Sequence, residues 1–162
     1  MTSSDLARSE LDVLAERWRG AWTDGAGFEA LCTPNVGYED PLVVDPLVGI
    51  GALTDHAAAL HRVLPDLRIE STSPPLGRDS HMCIPWRVAG THRGETEILP
   101  ATDRFVVLHG LHYLELSDGR VRRARGFFDL YDAATQLGLL PARGGLGETA
   151  LLLLRGFGLR RR

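Results

Sequence analysis

Residues 104–131 constrain the fold most. "RFVVLHGLHYLEL" (104–116) is a long β-like run, "SDGR" (117–120) has hairpin-turn chemistry, and "VRRARGFFDLY" (121–131) reads as the return strand. Side chains along a strand alternate between the two faces of its sheet. Both faces of the first run are apolar, with Phe105, Val107, Leu111 and Tyr113 on one and Val106, Leu108, Leu114 and Leu116 on the other. A sheet built on this hairpin needs helices or a pocket against one face and a partner against the other, so a symmetric homodimer is expected.

The rest of the chain supplies those layers. Leu11, Leu14, Trp18 and Trp22 recur at helical spacing within 5–23, "DGAG" (24–27) breaks the pattern, and "FEALC" (28–32) reads as a short second helix. A short strand is expected over 36–40, ending at Pro41. A third helix is expected over roughly 51–64, with Leu53, Ala57, Leu60 and Leu64 on one face. "LRIEST" (67–72) and "HMCIPWRVAGTH" (81–92) read as strands, and Pro85 points to an edge or a bulge. "DAATQLGLL" (132–140) reads as a short helix or helical turn. Helices gathered before a run of antiparallel strands predict an α+β fold, a curved sheet with helices on one face.

We expect one domain over residues 1–141 and a separate tail over 142–162. The tail holds four consecutive leucines, Leu151–Leu154, and closes on Arg160–Arg162. It reads as a helix docked on the body or on a second subunit, with contact to a membrane surface as the alternative.

Composition removes several function classes. All 18 basic residues are arginine, which excludes Schiff-base catalysis on lysine and a phosphate-binding-loop lysine. A net charge of −3 argues against nucleic acid as a partner. Cys32 and Cys83 make no zinc pattern, and two scattered thiols suit a reduced, cytoplasmic setting. His56 and His61 are five apart, whereas a zinc pair on a helix wants four, so no metal is expected; no nucleotide or flavin motif is present, so no cofactor is expected.

The motifs "PDLRIE", "GTHRGE", "LPATDR", "LELSDGRV" and "FFDLYDAATQLGLLP" stand here in the order seen in SnoaL-like polyketide cyclases and the related ester cyclases. Residues 6–141 thus resemble that family, within the nuclear transport factor 2-like superfamily. The resemblance implies a cone-shaped α+β fold, a curved antiparallel sheet wrapped by N-terminal helices around a deep cavity. It also implies a small, mostly apolar carbonyl compound as ligand. The segment "YEDP…DP…G" (38–49) is similar to the one that carries the catalytic base in ketosteroid isomerases, which share the fold.

These resemblances and the strand pattern nominate residues. Asp129, placed on the last strand with Phe127 and Tyr131, matches the acid/base aspartate of the cyclases, and apolar neighbours would raise its pKa. Its alternatives are an ion pair with Arg125 or a cap on the helix at 132. Asp40 matches the isomerase base; its alternative is a turn entry at Asp40-Pro41, and Asp45-Pro46 reads as a turn in the same way. His112, or else His109 on the opposite face, would donate to a developing enolate oxygen. Trp18 falls near the oxyanion-binding position of the isomerases, where it either donates or packs in the core. Arg125 stands where these families often carry an aromatic, and Trp86 is expected near the cavity rim with His92. Two function classes follow: an acid/base enzyme, cyclase or isomerase, and a non-catalytic binding or dimerisation module of the same fold.

Overall fold

The computed structural model describes residues 3–78, 80–96 and 99–155, with side chains from residue 9 onward. Helix α1 (Ser3–Asp24) is followed by a 3₁₀ turn (Phe28–Ala30), strand β1 (Cys32–Glu39), the short β2 (Leu47–Val48) and helix α2 (Ile50–Val63). Strands β3 (Arg68–Ser71), β4 (Leu76–Arg78), β5 (His81–Thr91), β6 (Phe105–Ser117) and β7 (Arg120–Phe128) come next, and helices α3 (Leu130–Gln136) and α4 (Leu146–Leu154) close the described chain. The order across the sheet is β2-β1-β7-β6-β5-β3, with β4 also on β5, a curved seven-stranded sheet that does not close.

The hairpin at residues 104–131 forms as expected, with Asp118 and Gly119 both at positive φ (51° and 72°), the pairing a two-residue hairpin turn demands. The sheet is mixed rather than all antiparallel, because β1 runs parallel to β7. Pro85 marks neither an edge nor a bulge. β5 lies between β6 and β3/β4, and Pro85 falls where its outer partner changes, after Ser71↔Trp86 and before Leu76↔Cys83. The missing N–H is harmless at that junction.

β7 stops at Phe128, three residues short of its expected end. Beyond that point β6 keeps β5 on one side but loses β7 on the other, and the side chain of Gln136 takes the place of β7: Oε1 accepts from the Val107 N–H and Nε2 donates to the Val107 carbonyl, both at 2.8 Å. The amide thus satisfies buried backbone groups that the departing strand leaves behind.

The core lies between the inner sheet face and helices α1 and α2. Trp18 and Phe28 are fully buried, joined by Trp22, Leu53, Ala57, Met82, Ile84 and Leu114. The opposite sheet face is less covered, with Phe105 and Phe127 exposed. Within the stretch expected as a tail, Leu146–Leu154 form helix α4, and Arg160–Arg162 lie outside the described residues.

Candidate active site

Alternation along β6 turns His112 into the core and leaves His109 exposed on the outer face. His112 is enclosed by aromatic rings. Trp22 stacks on it (centroids 5.3 Å, planes 16° apart), Trp18 meets it edge-on at 5.7 Å, and Trp86 lies at 5.5 Å. Burial pushes the His112 pKa down to about 3, against the opposing pull of the Asp40 charge. The imidazole is therefore neutral throughout the ordinary pH range.

Asp40 follows the end of β1, where Pro41 ends the strand. Its side chain is 5% exposed. Oδ2 accepts from the Tyr38 hydroxyl at 3.0 Å and is paired with His56 Nε2 of α2 at 2.8 Å, while Oδ1 accepts from the Leu42 N–H at 2.7 Å. The turn role foreseen for Asp40 is thus present together with burial beside the aromatic cluster. Burial pushes the carboxyl up, but the hydrogen bonds from His56, Leu42 and Tyr38 outweigh it, so Asp40 titrates below its ordinary value. Tyr38 moves the other way, raised by burial and by the Asp40 charge.

Gly126 of β7 makes the convergence possible. It pairs with His112 in register, and a Cβ there would lie 2.8 Å from the Tyr38 hydroxyl, 3.1 Å from Asp40 Cβ and 3.5 Å from His112 Cδ2. These three side chains meet over a glycine because nothing larger leaves them room.

Three indole N–H groups complete the cluster. Nε1 of Trp18, Trp22 and Trp86 are all buried without a protein acceptor. With a neutral His112 they form a concentration of hydrogen-bond donors in an apolar setting, where an oxygen carrying negative charge is strongly favoured. The expected deep cavity is instead filled by these rings. The space lined by Trp18, Arg19, Trp22, Ile69, Ser71, Ile84, Trp86 and His112 is about 10 Å³, no more than one water needs. A groove of about 400 Å³ lies alongside, between α1 (Asp12, Ala15, Glu16) and residues 71–75, with Ser71 bordering both.

Other nominated residues lie elsewhere. Asp129 does not project from a strand face with Tyr131. It is the exposed N-cap of α3, accepting from the Asp132 N–H at 2.9 Å and from Arg143 at 2.7 Å. Those bonds, the Asp132 N–H first, lower its pKa rather than raise it. Arg125 pairs with Glu39 (3.0 Å), not with Asp129, and Phe127 faces outward. Tyr131 belongs to α3, where its hydroxyl meets Glu148 and the Pro141 carbonyl, each at 3.2 Å. His92 is buried away from the rim position expected for it, its Nδ1 bonded to Thr102. Sequence reading missed Trp22, Tyr38 and His56 as members of the cluster. Trp22 was legible as the helical neighbour of Trp18, but the pairing of Asp40 with His56 sixteen residues away has no local signature. Among the described residues, no group of three or more His, Cys, Asp or Glu side chains converges as a metal would require.

A family model described as SnoaL-like polyketide cyclase matches residues 12–137. The chain belongs to the SnoaL-like polyketide cyclase family. Solved structures similar to this SnoaL-like chain include AclR from Streptomyces galilaeus, a candidate hydroxylase (TM-score 0.71, 19% identity, covering 92% of this chain and 94% of that one). TsrD from Streptomyces laurentii superposes with a TM-score of 0.72 at 18% identity over 82% of this chain and 98% of that one. IdmH from Streptomyces antibioticus, a candidate polyketide cyclase, gives 0.66 at 17% over 77% and 96%. At these identities the likeness establishes the shared fold. No curated protein matches the chain.

Proposed function

We propose that this SnoaL-like protein is a cofactor-independent acid/base catalyst of the cyclase type, acting on a small, mostly apolar carbonyl compound. The supporting observation is the convergence of an ionised, buried Asp40 with neutral His112 and three unpartnered indole donors. In this reading Asp40 removes a proton α to a carbonyl. The resulting enolate oxygen is held by indole N–H groups and by His112 acting as a neutral donor. The enolate carbon then attacks a second carbonyl of the same molecule and closes a ring, and the proton returns to the new alkoxide. A positioned base contributes ~10²–10⁴-fold, and a preorganised oxyanion donor ~10²–10³-fold. His56 and Tyr38 orient the carboxylate and are positioning residues. The exposed outer sheet face supports a homodimer.

A second reading, a binding module without chemistry, draws support from the filled interior and from the three bonds already made by Asp40. In both readings the indole rings move aside to admit a ligand. The test is tryptophan fluorescence titration with 2-naphthol, a fused-ring phenol that mimics a dienolate. Saturable quenching that changes several-fold in Asp40→Asn supports the catalytic arrangement. Binding indifferent to Asp40 supports the module, and no binding removes the polycyclic carbonyl from consideration.

A further inference from the structure

Helix α4 is presented to solvent with its leucines uncovered. Leu151, Leu152 and Leu153 are 41–48% exposed, Leu154 is 86% exposed and Leu146 is 91% exposed. Successive residues of a helix point ~100° apart, so four leucines in a row leave no polar side. A groove on a protein takes one stripe of a helix, whereas the last turn of α4, Leu151–Leu154, is apolar on every side and suits insertion into a lipid surface better.

The first turn of α4, in contrast, is fastened to the body. Glu148 accepts from the Tyr131 hydroxyl at 3.2 Å and from the Gly144 N–H at 2.5 Å. Arg143 pairs with Asp129 at 2.7 Å and lies over the Tyr131 ring at 4.7 Å. Asp129, which looked catalytic in sequence, and Tyr131, which looked substrate-binding, hold the root of the tail.

Charge selects the partner. Residues 142–162 carry five arginines against one glutamate, while residues 1–141 carry thirteen arginines against twenty acids. The body is repelled by an anionic surface and the tail is attracted to it. After Arg155 the sequence Gly-Phe-Gly-Leu-Arg-Arg-Arg adds two more apolar side chains and three of those arginines. Apolar insertion and a basic cluster are the two signals that together give stable attachment to a bilayer surface. Among the described residues no helix is long and apolar enough to cross a membrane.

We infer that α4 and the basic segment after it dock the protein onto an anionic lipid surface. The inference does not depend on the proposed chemistry. Flotation of the full chain with vesicles tests it, comparing pure phosphatidylcholine with a mixture containing phosphatidylglycerol, at low and high salt. We expect flotation with the anionic vesicles only, reduced at least tenfold by Leu152→Glu plus Leu154→Glu, and weakened by high salt and by replacing Arg160–Arg162 with glutamine. Circular dichroism of the exposed leucine variants confirms that the body is folded. Flotation equal for both vesicle types, or absent from both, overturns the inference. So does sedimentation showing that the leucine changes dissociate a dimer while lipid binding is nil, which would assign α4 to a second copy of the chain.

Discussion

The buried imidazole makes a prediction about acid stability. Protonating His112 in the folded state places a cation among Trp18, Trp22 and Trp86, a cost that the nearby Asp40 charge offsets only in part, and its pKa falls from 6.5 to about 3. In the unfolded chain the same group titrates near its ordinary value. Between these two values the unfolded state binds one more proton than the folded state, so stability rises with pH across that window and is lost as pH falls. The slope is ~1.4 kcal/mol per pH unit, so lowering pH from 6.5 to 5 costs about 2 kcal/mol from this residue. The carboxylate of Asp40, lowered from 3.8, contributes stability that is lost as pH falls through that value, below the range from pH 6.5 to 5. Urea denaturation of wild type and His112→Gln at pH 7, 6.5, 6, 5.5 and 5 measures the difference. The variant starts less stable, and the gap should shrink by about 2 kcal/mol between pH 6.5 and 5. A gap constant with pH would mean that His112 titrates alike in both states and is not held neutral by burial.

Two further changes probe the scaffold of the site. Gly126→Ala places a methyl group 2.8 Å from the Tyr38 hydroxyl and 3.1 Å from Asp40 Cβ; overpacking of this kind costs ~1–3 kcal/mol, and differential scanning calorimetry should show Tm lower by roughly 2–4 °C for each kcal/mol lost, together with loss of 2-naphthol binding. Gln136→Ala strips the Val107 N–H and carbonyl of their partners; the cost is ~1–3 kcal/mol, readable by urea denaturation, with hydrogen exchange faster at Val107 and ligand binding unchanged.

The fold was legible because its signals are local. The "SDGR" turn, the alternation on β6 and the three-and-four spacing of Trp18 and Trp22 all act within a few residues, and each element they define is present. The errors arose where a neighbouring element decides the outcome. Asp129 looked like a strand residue because "FFDLY" continues the β-like composition of β7, but its own carboxylate caps the Asp132 N–H and starts α3 two residues early. Pro85 looked like an edge marker because sequence does not say that β3 and β4 exchange places beside it. At the site, the inward turn of His112 followed from strand parity, and Asp40 followed from likeness to the isomerase segment. What could not be read was that Tyr38, His56 and Gly126 assemble around that carboxylate, since these contacts join β1, α2 and β7. The filled interior was equally hidden, because indoles that line a cavity and indoles that occupy it have the same sequence.

The proposed chemistry makes Asp40, and not Asp129, the base. The direct measurement is exchange of the α-protons of a fused-ring ketone, 2-tetralone, into deuterated water, followed by proton NMR with wild type, Asp40→Asn and Asp129→Asn side by side. Exchange above the buffer rate is expected with wild type, retained by Asp129→Asn and reduced ~10²–10⁴-fold by Asp40→Asn. Exchange that survives Asp40→Asn and disappears with Asp129→Asn would contradict it.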